Sequence, residues 1–357
     1  MNRSTFLLTL ATASALTLSA YTPARPRADE RDTPYQTKTF TGTINAVRAE
    51  TSGGSLTVEG GTGKDARIEV FVRANNGNDR NQLSKAELDE RLRDYDISVE
   101  KEGSTLVAIA KRRNNNNDWK RSVSISFKVY TPRAVATDLR TSGGSISLSG
   151  LSGKQRFKTS GGSLNLTDVQ GDIVGQTSGG SINLDRCRQT GSGGQLDLQT
   201  SGGSISAKAS SGNMRLHTSG GSIELLDLTG DIDAQTSGGS VRGTNLDGDI
   251  KAGTSGGSVR LANVAGSVDA STSAGSVDVS LSKLGKYVRL NTSVGSVRVK
   301  MPLNQGLTLN LSGNRVQMPE RLNGFDGDIE KNRVRGRLNG GGIPVDISAS
   351  MGSVSIN

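Results

Sequence analysis

The sequence predicts an all-β protein: a parallel β-solenoid (β-helix) with 18-residue coils of two short strands, plus an N-terminal β-rich cap or insertion containing one short helix. Three observations predict it. The motif Thr-Ser-Gly-Gly-Ser begins at Thr141, Thr159, Thr177, Thr200, Thr218, Thr236 and Thr254, and most neighbouring copies stand 18 residues apart. Such a fixed period marks a repeat architecture, in which each unit buries its apolar face only against its neighbours. Within a period, apolar residues fall at every second position, as in Ile223 and Leu225 and then Ile232 and Ala234. That is the periodicity of a strand and not of a helix. Finally, aromatics make up only 3% of the chain while Gly counts 47. A compact core would use more of the large aromatic side chains, so a thin core of small and branched aliphatics fits better.

The elements follow in chain order. Residues 1–20 have the form of a secretory signal peptide. Asn2 and Arg3 precede the apolar stretch from Phe6 to Leu18, and Leu18-Ser19-Ala20 supplies small residues for cleavage after Ala20. The stretch is too short to cross a bilayer as a helix, and no later apolar run is long enough either. The expected location is therefore secreted, periplasmic or at the cell envelope. Residues 21–37 are rich in Pro, Arg, Asp and Thr and read as a disordered leader.

Residues 38–140 form the expected N-terminal β-rich segment. An early corner begins at Thr51, which lies 90 residues, or five periods, before Thr141. The stretch between does not repeat and is read as an insertion or cap. It holds a strand from Arg67 to Arg73, then Ser84-Lys85-Ala86-Glu87, a capping box that opens a helix over about 84–95. A hairpin from Ile97 to Lys111 follows, then a basic, Asn-rich loop. The alternating strand Ser122–Tyr130 comes next, and Pro132 ends it.

The solenoid proper is expected over 141–301. Two alternating segments per period, separated by glycines where the chain turns and adopts positive φ, make one coil of two strands and two corners. Stacked coils pair in parallel about 4.8 Å apart. The Thr of each corner continues the inward alternation, as in Ile232, Ala234, Thr236. Its buried hydroxyl then needs a partner, from the backbone of a neighbouring corner or the Thr one coil away. Inward Thr also argues against an exposed hydroxyl array of the ice-binding kind. Residues 302–357 lose the period and read as C-terminal strands and cap, ending in one more corner and strand, Gly352-Ser-Val-Ser-Ile-Asn357.

The Thr-Ser-Gly-Gly-Ser repeats resemble the DUF4097 family of adhesin-like bacterial proteins with β-strand repeats. So do the strand Val123-x-Ile125-x-Phe127-x-Val129-x-x-Pro132 and the tail Gly336-Arg-Leu-Asn-Gly-Gly-Gly342. The resemblance implies a secreted or envelope β-solenoid and carries no catalytic motif to any position of this chain. The 23-residue step from Thr177 to Thr200 and the Asn-rich loop depart from the regular pattern.

Candidate chemistry is sparse. A single cysteine, Cys187, excludes an internal disulfide, and a single histidine, His217, excludes a His cluster. No catalytic residue, cofactor site or metal site is assigned. Asp172, Asp231, Asp249 and Asp328 each follow Gly and precede Ile. A row of carboxylates could hold Ca²⁺, but the Gly-Gly-x-Gly-x-Asp pattern of calcium-binding solenoids is absent, and Asp beside Gly fits a turn. His217 alternates outward and reads as surface decoration. Cys187, in the long coil and flanked by Arg186 and Arg188, is a candidate exposed thiol, the alternative being a small buried residue at the loop base. Arg112, Arg113, Trp119, Lys120 and Arg121 form a candidate ligand-contact loop, an aromatic among cations.

The net charge of +9 favours anionic partners, either anionic polysaccharide or other envelope components, and no nucleic-acid motif is present. The reading is a non-enzymatic secreted or envelope-associated solenoid, an adhesin or cell-surface scaffold with a polar, mildly basic surface. The alternatives are a carbohydrate-active β-helix protein, binding or lyase-like, and an accessory of envelope signalling.

Overall fold

The computed structural model describes residues 33–74, 84–113, 122–191, 193–319 and 322–357. From Pro34 onward they belong to one compact unit, Pro34–Asn357. The expected signal peptide falls outside the described residues. So does the leader up to residue 32, but the strand Gln36–Phe40 begins inside the stretch assigned to it. That strand is ordered because it pairs antiparallel with Ala66–Ala74.

The coils stack as parallel strands with a regular register. Leu164 lies between Ile146 and Ile182, and Ile223 between Ile205 and Val241, each partner one period away. The 23-residue step is absorbed without breaking the register, since Ile173 pairs with Leu196. Inward positions form continuous apolar columns, with Leu139, Leu164, Ile173, Leu198, Ile223 and Val259 all buried. Side-chain volumes compensate between neighbouring coils. The ring of Phe157 fills the space that a Cβ on Gly175 would need, 2.1 Å away.

Most coils turn three times, not the two expected. Thr-Ser-Gly-Gly-Ser makes the first corner. A residue in the left-handed region makes the second: Asp168 (φ 52°), Arg186 (54°), Ala209 (48°), Asp227 (54°), Asn245 (56°) and Asn263 (54°). A glycine with positive φ makes the third, as Gly153, Gly171, Gly212, Gly230, Gly248 and Gly266. The short side between the second and third corners carries one inward residue, among them Val169, Cys187, Leu228 and Leu246. Two apolar positions separated by a turn residue resemble one strand in the sequence, so this third side was hidden.

The Thr corner works differently from the expectation of positive φ. Thr159 Oγ1 donates to the carbonyl of Gly144 in the preceding coil at 2.8 Å and accepts from Gly162 N of its own corner at 3.3 Å. The same pair recurs at Thr141, Thr177, Thr200, Thr218, Thr236 and Thr254. Every one of these threonines is buried. The second Gly is required by close stacking: a Cβ on Gly162 would sit 2.0 Å from the carbonyl oxygen of Gly144. At Gly161, the first Gly, the nearest atom would be 3.5 Å away. That position becomes Ala274, Val294 and Met351 in the last coils, while the second stays Gly275, Gly295 and Gly352.

One outward column alternates in charge through nearly the whole stack. In register order it runs Arg48, Asp138, Arg156, Val174, Asp197, Arg215, Asp233, Lys251, Asp269, Arg289, Asp346. Opposite charges facing across paired strands stabilise the pairing, and like charges oppose it.

Both ends depart from chain order. The early strand Ala46–Thr51 lies between Thr105–Arg112 and Ala136–Thr141, with Thr51 opposite Thr141. The five-period spacing of those two threonines is therefore a direct contact between coils. At the far end Ile343–Met351 lies between Val277–Val294 and Leu307–Ser312. The coil-like stacking thus extends beyond 141–301 on both sides. Antiparallel strands cover the outermost coils: Tyr95–Glu102 on Thr105–Arg112, Ala66–Ala74 on Val123–Pro132, and Arg333–Leu338 on Leu307–Ser312. The helix spans Lys85–Leu92 with Ser84 and Glu87 forming the capping box, three residues shorter at its end than expected because the chain enters the strand at Tyr95.

Candidate functional site

A polar groove runs along the Thr corners of the central coils. Its rim is the outward column that precedes each Thr: Gln176, Gln199, His217 and Gln235 are register neighbours. Ser201, Ser219 and Ser237 line the opposite side, with the Thr residues at the base. The Thr hydroxyls are spent within the fold, in the corner hydrogen bonds. Gln199 Nε2 donates to Asp197 Oδ1 and Gln235 Nε2 to Asp233 Oδ1, both at 3.0 Å. Gly253 leaves the space that the Gln235 carboxamide occupies, its Oε1 lying 2.1 Å from where a Cβ would be.

His217 sits in the middle of this groove, half-buried, where decoration of an open surface was expected. Its Nε2 lies 3.8 Å from Asp233 Oδ2 and has no hydrogen-bond partner among the described residues. Among the described residues no Ser or Cys is hydrogen-bonded to its Nε2, and the serines across the groove belong to repeated corners.

Cys187 is not an exposed thiol. It is 1% exposed and takes the place in its coil that Val169 takes one period earlier. The extra residues of the long coil follow it, beyond Arg188, so the bulge leaves the cysteine in the core. Its N–H donates to Ser210 Oγ at 3.0 Å and its thiol faces the Asp185 carbonyl at 3.7 Å. Burial pushes the thiol up to about 11, which keeps it protonated and unreactive at neutral pH.

Of the candidate contact loop, Trp119, Lys120 and Arg121 lie outside the described residues. Arg112 ends the strand Thr105–Arg112, opposite Tyr95. Arg113 pairs through Nε with Asp96 Oδ1 and donates its backbone N–H to Asp94 O at 2.8 Å. Both arginines therefore belong to the capping hairpin at the N-terminal end, remote in the stack from the central groove and from Cys187.

Of the four aspartates, Asp172 pairs with Arg156 at 3.3 Å and Asp249 with Lys286. Lys286 Nζ stands 3.1 Å from Asp249 Oδ2. The Ser267 hydroxyl and then Lys286 hold the Asp249 carboxyl below the usual range, and the Lys286 ammonium is raised in turn by Asp249. Among the described residues no group of three His, Cys, Asp or Glu side chains is placed to hold a metal ion. No described helix is long and apolar enough to cross a membrane.

The fold and these surfaces define a β-solenoid in which side chains are arrayed in columns. Residues 194–357 match the family model described as Toastrack DUF4097, the family that the repeats resemble. Two solved structures are similar over most of both chains. A "putative cell adhesion protein" from Clostridium sporogenes ATCC 15579 is 11% identical, covering 91% of this chain and 99% of its own, with a TM-score of 0.16. A "putative adhesin" from Bacteroides fragilis NCTC 9343 is 13% identical, covering 90% and 96%, with a TM-score of 0.24. No curated protein matches the chain.

Proposed function

We propose that this protein is a non-enzymatic, secreted or envelope-associated scaffold that adheres through its columns of repeated polar side chains. The observation that carries this reading is the register itself. The same outward position returns in every coil, about 4.8 Å from the last, so a weak contact made once is available again at the next coil. Repetition of weak contacts converts modest affinity into avidity. Several groups suited to chemistry are engaged within the fold: Cys187 in the core, Asp249 with Lys286, and the Thr hydroxyls in the corners.

The test is binding of the full chain to bacterial cells and to a glycan array, beside turnover assays on acidic and neutral polysaccharides. Retention on cells or glycans without turnover supports the reading. Release of reducing or unsaturated ends would replace it with a carbohydrate-active enzyme.

A further inference from the structure

The outward column on the strand after each Thr corner changes its chemistry along the stack. Through the middle coils it runs Ser147, Asn165, Asn183, Ser206 and Glu224. Further on it becomes Arg242, Arg260, Asp278 and Arg298 in consecutive register. Lys300 stands two residues beyond Arg298 on the same strand. These five side chains line one groove, whose floor is largely apolar and includes the small side chain of Ala262.

Four cations line the groove beside the Asp278 carboxylate, and Glu224 stands one coil away in register with Arg242. Arg260 Nε lies 3.4 Å from Asp278 Oδ2 and Arg298 Nη1 lies 3.0 Å from Oδ1. Both arginine side chains are well exposed, at 59% and 62%, so these ion pairs hold the guanidinium groups only weakly. Arg242 and Lys300 are exposed, and neither has an ion pair among the described residues.

We propose that this groove binds a carboxylated polysaccharide laid along the stacking direction. Guanidinium forks match carboxylates in a bidentate way. Three coil steps separate Arg242 from Arg298, about 14 Å at the spacing of paired strands, which suits a polymer carrying repeated charges better than one small anion. The apolar floor gives the C–H faces of sugar rings a surface to rest on. A lipid surface fits less well, because the large exposed hydrophobics, Tyr35, Val294, Ile329 and Met351, are not among the residues of this groove. A nucleic acid fits less well because no aromatic lines the groove for bases to stack on. Such a site goes beyond the adhesive role and stands whether or not the protein is an adhesin.

The test measures the affinity of the full chain for sodium alginate, a polyuronate, at low salt. Neutral dextran, vesicles containing phosphatidylglycerol, and single-stranded DNA serve as comparison probes. The double variant Arg242→Ser, Lys300→Ser removes the two unpaired cations. The double variant Lys154→Ser, Lys158→Ser removes the same charge from exposed positions several coils away. Alginate affinity should fall about tenfold or more in the first, the scale of losing two charge-assisted contacts, and stay unchanged in the second. Thermal melting of both variants should match the parent. Equal loss in the two variants would make the attraction a diffuse field and overturn the site. So would no alginate binding, or tighter binding of vesicles or DNA through the same two residues. Cell adhesion surviving a failed alginate test would leave the scaffold reading standing alone.

Discussion

The second glycine of each Thr corner sits where two coils come closest. A Cβ on Gly162 would lie 2.0 Å from a carbonyl oxygen, which is backbone and cannot swing away. Gly162→Ala should cost about 3 kcal/mol, the range of overpacking in a rigid site, whereas Gly161→Ala should melt like the parent. Chemical denaturation of the two variants side by side checks this. Thr236→Val should cost about 1–3 kcal/mol, because it leaves the Gly221 carbonyl and the Gly239 N–H without partners in a buried corner.

The inward Thr was legible from alternation alone, and its hydrogen bonds follow from burial. The reason for the glycine was not, since a sequence does not reveal how near the next coil comes. Cys187 was legible by counting one period from Val169; the flanking arginines and the extra residues drew the reading toward the surface. Its thiol should resist aromatic disulfide reagents in the native protein at pH 8 and react once unfolded. The thiol's folded value, about 11, is raised above its ordinary 9.0. The native state therefore holds its proton more tightly, and stability falls as pH rises from about 9 to about 11. Cys187→Ala should lack that part of the alkaline decline.

At the scale of strands, the alternating charge column makes coils distinguishable by parity. Deleting the single period Ser219–Thr236 removes Asp233 and brings Arg215 opposite Lys251. Deleting two periods, Ser219–Thr254, brings Arg215 opposite Asp269 and keeps the alternation. The longer deletion should be the better tolerated, with the shorter one losing about 1 kcal/mol to like charges and recovering part of it at high salt. Comparing the melting of the two deletions at low and high salt checks the sign. Asp233 and Lys251 stand one period apart, so this part of the column was open to counting. Asp346 was not: it lies opposite Arg289 across a stretch with no period. The third corner escaped for a related reason, because a single left-handed residue such as Asp168 or Asn263 leaves no gap in an alternating pattern.

For the whole molecule, the repeats fixed the direction of stacking but not the order of coils at its ends. The family match covers residues 194–357, while the same stacking continues back to Ala46–Thr51 through a contact that only the Thr51 corner announces. The C-terminal order has a mechanical consequence. A stack whose last coil ended in a loose tail would fray from that tail, one hydrogen bond at a time. Here Ile343–Met351 is clamped on both edges, and the outer coil over it is a mid-chain segment tethered at both of its ends. A carboxypeptidase therefore finds no C-terminal strand to peel until the outer coil has lifted away as a closed loop. Carboxypeptidase should leave the mass of the native protein unchanged. Leu309→Asp, which puts a charge into the buried face of the outer coil, should let the enzyme trim the C-terminal strands while the central stack stays folded.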